Sequence, residues 1–124
     1  MILLIDSWAW IEYGRGTPAG ELVRAYIEGD HTLLFSAINV AEVYRWFLHN
    51  KDEPGANVMH QFMMSRGFVI LLDDKTAVAA AKEKVEHKMG LADAIVLATA
   101  KSQKATIITG DPDFAGHPDV IIIR

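Results

Sequence analysis

Residues 105–114 read ATIITGDPDF, an apolar run rich in β-branched side chains that stops at the acid Asp111. The chain opens in the same way, because residues 1–6 read MILLID and place Asp6 directly after an apolar run. Short runs without polar alternation are typical of strands that are covered on both faces in a parallel sheet. In open α/β sheets, sites form beyond the carboxyl ends of the strands. Asp6 and Asp111 are therefore expected at a functional edge.

The rest of the chain alternates between strand-like and helix-like segments. Five apolar runs predict strands at Ile2–Ile5, Leu33–Phe35, Phe68–Leu72, Thr106–Thr109 and Val120–Ile123. Helical spacing and capping signals predict helices at Ala19–Glu28, Asn39–Asn50, Pro54–Ser65, Asp74–Lys88 and Leu91–Lys104. This alternation predicts a three-layer α/β/α sandwich with right-handed crossovers. No stretch resembles a linker or a repeat, so residues 1–124 are expected to form a single domain.

Charge and cysteine content limit the function classes. The formal net charge is −4, from 16 acidic residues against 12 Lys and Arg, which argues against a broad basic face for nucleic acid. An enzyme whose acids hold metal cations against phosphate stays open. Because the chain has no cysteine, its stability must come from packing, and a reducing cytoplasm is the expected location. The short N-terminal apolar run has no basic flank and predicts neither a signal peptide nor a membrane span.

Several acids have a purely structural explanation when each is taken alone. Asp6 and Asp111 could each cap a helix, and a proline follows Asp111 at the first helical position. Asp113 would then lie in the first turn, where the helix dipole favours an acid. Glu42 could form a surface pair with Arg45 that is worth about 0.2–0.5 kcal/mol.

The structural explanation is weakest for Asp93. It lies in LADAIVLATA, residues 91–100, where nearly every neighbour is small or apolar, so the helix is expected to be largely buried. An unpaired buried carboxylate is costly or becomes protonated. Mg²⁺ and Mn²⁺ prefer oxygen ligands and relieve the repulsion between clustered acids, whereas the five scattered histidines show no zinc spacing. An alternating α/β chain could bring four acids to one edge: Asp6, Glu42, Asp93 and Asp111.

This pattern resembles the PIN-domain family, and within it the VapC-type toxin ribonucleases of toxin–antitoxin pairs. The resemblance spans the whole chain in order, and each motif falls at a predicted strand end or on a predicted helix. The motifs are Ile5-Asp6-Ser7, Asn39-Val40-Ala41-Glu42-Val43, Leu91-Ala92-Asp93-Ala94-Ile95-Val96-Leu97-Ala98 and Thr109-Gly110-Asp111-Pro112-Asp113-Phe114. The resemblance implies a five-stranded parallel sheet in the order 3-2-1-4-5, and RNA cleavage that depends on Mg²⁺ or Mn²⁺.

The resemblance also implies roles for individual residues. The catalytic, metal-binding acids would be Asp6, Glu42, Asp93 and Asp111. Asp113 matches a more variable metal-binding acid, and Ser7 and Thr109 match polar positions that help to orient the site. Cleavage would be an in-line displacement at phosphorus by water, with no side chain as the nucleophile.

Two further groups of residues bear on partners. Basic side chains could contact RNA phosphates or simply form solvated surface: Arg15, Arg45, Lys82, Lys84, His87 and Lys88. Aromatic side chains near the site segments could pack in the core or form an interface: Trp8, Trp10, Tyr13, Tyr44, Trp46 and Phe47. The resemblance implies a homodimer and a cognate antitoxin that blocks the site.

Three other functions compete with this hypothesis. A response-regulator receiver could use Leu71-Leu72-Asp73-Asp74-Lys75-Thr76 as its phosphoacceptor strand. It needs an acidic pair after the first strand, where this chain has Asp6-Ser7, and a lysine after the last-but-one strand, where this chain has Thr109-Gly110-Asp111. A haloacid-type phosphatase needs an acid two residues after the first, and Trp8 occupies that position. A non-catalytic binding module, with the acids as caps and surface charge, stays open.

Overall fold

Five parallel strands form one sheet at the centre of the structure, a computed structural model that describes residues 1–124. The strands are β1 (Ile2–Ile5), β2 (Thr32–Ser36), β3 (Phe68–Ile70), β4 (Thr106–Thr109) and β5 (Val120–Ile122). Their order is β3-β2-β1-β4-β5, which confirms the predicted α/β/α sandwich and the order that the resemblance implies. The middle strand β1 pairs with β2 on one side and with β4 on the other. Residues that follow β1 and β4 therefore meet at one edge of the sheet.

Six helices and one short 3₁₀ turn, Pro112–Phe114, connect the strands. The helices are α1 (Ser7–Arg15), α2 (Pro18–Ile27), α3 (Ala37–His49), α4 (Glu53–Arg66), α5 (Asp74–His87) and α6 (Leu91–Gln103). Five of them match the predicted helices to within one or two residues at each end, which is ordinary uncertainty for frayed termini. None of the six combines the length and apolar character needed to cross a membrane.

The helix set predicted from the sequence omitted α1. This helix begins directly after Asp6 and ends at Gly16, whose φ of 68° lies in the left-handed region that glycine adopts without strain. Three aromatic residues in its nine positions weaken the helical signal, because aromatic side chains lose rotamer freedom in a helix. Packing against the sheet compensates for that preference, since Ala9 and Trp10 are fully buried.

The third strand is shorter than predicted. The apolar run Phe68–Leu72 indicated a five-residue strand, but β3 ends at Ile70, and Leu71 and Leu72 lie beyond it with 73% and 44% exposure. The reason is the register of this edge strand, whose only partner β2 ends with Ser36 opposite Ile70. Without a neighbouring strand, the two leucines have no ladder to join.

Alternate residues of β1 build two separate cores. Leu3 and Ile5 face a cluster formed with α1–α4, whereas Leu4 faces a second cluster formed with α5 and α6. All three side chains are fully buried, and each such burial stabilises the fold by roughly 1.5–3 kcal/mol. A slip of one residue would exchange the two sets, so packing fixes where β1 ends. Asp6 is thereby held at the carboxyl edge.

Candidate metal centre

Asp6 lies where β1 turns into α1. It occupies the position before the first helical residue, yet its side chain makes no capping hydrogen bond. Instead, Oδ2 accepts from Thr109 Oγ1 at 2.8 Å and Oδ1 accepts from Asn39 Nδ2 at 3.3 Å. The side chain is buried, with 5% of the residue exposed. The capping explanation for Asp6 is therefore wrong, because this carboxylate is bound by residues from two other elements.

Asp111 follows β4 and does cap the 3₁₀ turn. Its Oδ1 accepts a hydrogen bond from the Asp113 backbone N–H at 2.9 Å, as expected for a short Asx-type cap. Its own backbone N–H donates to Thr109 Oγ1 at 3.1 Å. Thr109 thus contacts both Asp6 and Asp111, and it couples the ends of β1 and β4 through one buried hydroxyl.

A close approach of backbone and aromatic ring fixes the turn after β4. A Cβ added to Gly110 would lie 2.4 Å from the Trp8 ring, so no larger residue fits without displacing that ring. Trp8 follows Ser7 on α1, and the turn that carries Asp111 therefore lies directly against the first turn of α1. This contact holds the two acid-bearing segments together.

Three carboxylates meet at this edge. Oxygen atoms of Asp93, Asp111 and Asp113 all lie within 4.8 Å of one another. Asp93 is in the first turn of α6, and Gly90, the residue that precedes this helix, offers no side-chain cap. None of the three acids takes part in an ion pair, because the six ion pairs of the chain all lie elsewhere. Their mutual repulsion has no cationic side chain to offset it.

The electrostatics of the site favour protonation of two acids. The pKa of Asp6 is raised to about 6, chiefly by burial and also by the charges of Glu42 and Asp111, while the hydrogen bond from Thr109 acts against the rise. The pKa of Asp93 is raised to about 7, again chiefly by burial, and part of this rise comes from the charges of four neighbouring acids: Asp111, Asp6, Asp113 and Glu42. The acids are thus close enough to perturb one another, as expected for carboxylates that share a site.

Glu42 joins the site through Ser7. Ser7 Oγ donates to Glu42 Oε1 at 2.7 Å, so the expected surface pair between Glu42 and Arg45 is wrong. Because Ser7 follows Asp6 directly, this bond holds Glu42 beside the first strand. Asn39 Nδ2 donates to Ser7 Oγ at 2.8 Å and lies one helical turn before Glu42 on α3. Asn39 was not among the predicted site residues, although it falls in one of the four motifs, because a polar residue in a first helical turn is commonly read as a cap partner.

The donor set suits a hard divalent cation. Every candidate ligand is a carboxylate, and Mg²⁺ or Mn²⁺ takes a few carboxylates together with water. Such a cation would offset the uncompensated charge of the trio. It would also favour the ionised forms of Asp6 and Asp93, whose pKa values are raised without it. A second group, Glu83, Glu86 and His87 on α5, differs because Lys101 Nζ already neutralises Glu83 at 2.6 Å.

A groove opens beside Glu42. It encloses a volume of about 300 Å³ between α1 and α3, and its lining residues are Ser7, Ile11, Glu42, Arg45, Trp46 and His49. The guanidinium of Arg15 lies 5.6 Å from the centre of the Trp46 ring. Cationic and aromatic groups therefore flank the acids on the α3 side.

The basic residues on α5 have other surroundings. Lys84 Nζ donates to the Met89 carbonyl at 3.0 Å and so ties the end of α5. His87 Nε2 lies 3.2 Å from Glu83. Lys82 and Lys88 are exposed. This arrangement favours a solvated helix face for the α5 residues.

The aromatic residues divide into two groups. Trp10 is fully buried and packs edge-on against Phe35 and Phe62, and Phe47 is also buried, so these two predicted interface residues belong to the core. Four others are half-buried against that core and partly open to solvent: Trp8, Tyr13, Tyr44 and Trp46.

The structure argues against the response-regulator receiver, because its candidate phosphoacceptor is a helix cap. Asp73 lies outside β3 and caps α5, where its side chain accepts from the Thr76 backbone N–H at 2.7 Å. That hydrogen bond lowers the pKa of Asp73, as is usual for a helix cap.

The structure thus combines a five-stranded parallel α/β sheet with carboxylates gathered beyond the ends of β1 and β4. The PIN domain model matches residues 3–119, and the chain belongs to the PIN domain family. A sequence search among curated proteins found no match.

Solved structures resemble the chain over nearly its whole length. A toxin–antitoxin complex from Klebsiella pneumoniae has a TM-score of 0.79 at 26% identity, covering 96% of this chain and 95% of that one. FitAcB from Neisseria gonorrhoeae has a TM-score of 0.73 at 26% identity, covering 100% and 97%. VapC20 from Mycobacterium tuberculosis, described as a Sarcin-Ricin loop cleaving toxin, has a TM-score of 0.82 at 14% identity, covering 98% and 99%. This last likeness shows the fold alone.

Proposed function

We propose that the protein is the toxin of a toxin–antitoxin pair, an endoribonuclease that hydrolyses RNA phosphodiester bonds with Mg²⁺ or Mn²⁺. The observation that carries this proposal is the trio of carboxylates within 4.8 Å, without an ion pair, in a chain of the PIN domain family. The similarity to the toxin–antitoxin complex from Klebsiella pneumoniae supports the biological role. An RNA target in the cell would place the protein in the cytoplasm.

The acids have different proposed roles in binding the cation. Asp93, Asp111 and Asp113 are the closest set of oxygen donors and would hold a cation between them. Asp6, fixed through both of its oxygens, would serve as the ligand with the least freedom to move. Glu42, fixed by Ser7, would complete the quartet or position water. A bound cation supplies charge neutralisation at the phosphate and an activated water as the nucleophile.

The groove beside Glu42 is the proposed path for the RNA strand. Arg45 and His49 can contact phosphate oxygens, and Trp46 with Arg15 offers a stacking surface for a base. The chain as a whole carries a net charge of −4, so a local cationic stretch at the site matters more than the total. Arg45→Ala should weaken RNA binding and reduce its salt dependence, whereas Lys82→Ala on α5 should change neither.

Two protein interfaces are proposed on different faces. The groove with its half-buried Trp46 would receive the antitoxin, which then covers the acids and competes with RNA. The apolar outer face of α5, with Val78, Ala81 and Val85, would pair with a second copy. Val85→Glu should give a monomer in light scattering and leave the fold intact. A wild-type protein that is monomeric at high concentration would remove the support for the homodimer.

The central experiment is Mn²⁺-dependent cleavage of a mixed RNA pool. Wild type is compared with Asp6→Asn and with the control Asp30→Asn, which changes an exposed acid outside the site. Cleavage by wild type and by the control, but not by Asp6→Asn, supports the proposal. Cleavage that persists at the wild-type rate in Asp6→Asn removes Asp6 from the site.

The same samples test the binding-module alternative. A non-catalytic module should neither cleave RNA nor gain thermal stability from Mn²⁺. A thermal shift without cleavage would indicate a metal site whose RNA target is absent from the pool.

A further inference from the structure

Asn39 is the most constrained polar side chain near the acids. It is fully buried, at 0% exposure, and every polar atom of its amide has a partner. Its Oδ1 accepts from the Ser36 backbone N–H at 2.9 Å, and its Nδ2 donates to Ser7 Oγ at 2.8 Å and to Asp6 Oδ1 at 3.3 Å. One side chain therefore connects the end of β2, the start of α1 and the carboxylate of Asp6.

The orientation of the Asn39 amide is not free. A backbone N–H can bond only to an acceptor, so the bond from Ser36 requires the amide oxygen to face that residue. The amide nitrogen must then face Asp6 and Ser7. An amide with the opposite orientation would present oxygen to a carboxylate and leave a buried N–H without a partner, which is costly.

The fixed amide also determines which way the Ser7 hydroxyl points. Ser7 Oγ accepts from Asn39 Nδ2, so its own hydrogen is free to be donated to Glu42 Oε1 at 2.7 Å. The bonds run in one direction, from Asn39 through Ser7 to Glu42. Asn39 thereby acts on two of the proposed metal-binding acids, directly on Asp6 and through Ser7 on Glu42.

We propose that Asn39 is the positioning residue of the site, which holds Asp6 and Glu42 in the geometry that binds the divalent cation. The inference rests on the proposed function, because it assigns the metal to these acids. Residues that orient metal ligands typically contribute about 10–100-fold to metal affinity. Asn39→Ala should therefore weaken Mn²⁺ binding by about 10–100-fold at a temperature where the variant is fully folded.

The test is calorimetric titration with Mn²⁺, without RNA, on the full chain. Asn39→Ala is compared with the control Ser36→Ala. This control removes another bond of the same helix cap, from the Ile38 N–H to Ser36 Oγ. It leaves the hydrogen bonds to the acids in place. Ser36→Ala should bind Mn²⁺ like wild type even though its helix cap is weaker. A purely structural role would lower the melting temperature of both variants and leave both affinities unchanged.

A second variant keeps the proposal testable if Asn39→Ala does not fold. Ser7→Ala cuts the link to Glu42 but leaves the bond between Asn39 and the Ser36 N–H, and it should also weaken Mn²⁺ binding. In the double variant the two losses should be less than additive, because both changes interrupt one chain of bonds. Affinities within twofold of wild type in the single variants would overturn the inference. Wild-type protein that binds no Mn²⁺ would instead overturn the proposed function, which makes the two failures distinguishable.

Discussion

In the absence of metal, Asp6→Asn should stabilise the protein at pH 8. The pKa of Asp6 is about 6 in the folded chain, against 3.8 for an ordinary aspartate carboxyl. At 1.36 kcal/mol per unit, ionised Asp6 lowers the free energy of unfolding by about 3 kcal/mol above pH 6. Asparagine avoids this charge, and weaker hydrogen bonds to Thr109 and Asn39 offset about 1 kcal/mol of the gain. The expected net stabilisation is about 2 kcal/mol, or about 8 °C in melting temperature for a chain of this size.

The sign of the pH dependence is a second check on Asp6. The folded state binds this proton more tightly than the unfolded state, so the contribution of Asp6 is most favourable below pH 3.8 and is lost as pH rises to about 6. Asp6→Asn has no such loss, so the difference between the two proteins should grow from pH 4 to pH 6.5 and then level off. Urea unfolding in EDTA at several pH values measures it. A variant less stable than wild type at pH 8 in EDTA would refute the reasoning, and added Mn²⁺ should stabilise wild type but not Asp6→Asn.

Three further changes test individual contacts. Thr109→Val removes the hydroxyl that bonds Asp6 and the Asp111 N–H, so calorimetry should show Mn²⁺ affinity about 10–100-fold weaker; an unchanged affinity would contradict this. Gly110→Ala places a methyl group against the Trp8 ring, so tryptophan fluorescence should shift and cleavage should fall, whereas unaltered fluorescence and rate would show that the ring can move aside. Arg66→Ala removes a bond to the Gly29 carbonyl at 2.8 Å and should cost about 1–3 kcal/mol in urea unfolding without changing Mn²⁺ affinity.

The sheet was predictable because a strand that packs on both faces is apolar at nearly every position. Leu3, Leu4 and Ile5 face two cores, so β1 reads as an unbroken apolar run, and the run ends where the sheet ends. The same signal fails at Leu71 and Leu72, because an apolar residue just beyond the end of an edge strand cannot be told by its type from an apolar residue within the strand. The missing information is the register between strands, which depends on residues far away in the chain.

The site was predictable only at the level of residue type and order. Asp6, Asp93 and Asp111 stood out because acids interrupt or follow apolar runs, and the fold does bring these segments together. Ser7 bonds to Glu42, which lies 35 positions further along the chain, and to Asn39, which lies 32 positions further along. Bonds between residues so far apart produce no periodic pattern that a single sequence could reveal. A serine and an asparagine at helix starts have local explanations that conceal their distant partners.

The sheet order has a consequence for the protein while it is being synthesised. Asp6 leaves the ribosome early, but its strand must wait for β4, and its hydroxyl partner Thr109 is 103 residues further along the chain. The trio of acids likewise needs residues from the last third of the chain, beginning at Asp93. A growing chain therefore holds no assembled acidic centre at any earlier point. If the centre cuts RNA, the order of translation protects the message and the ribosome that are producing it.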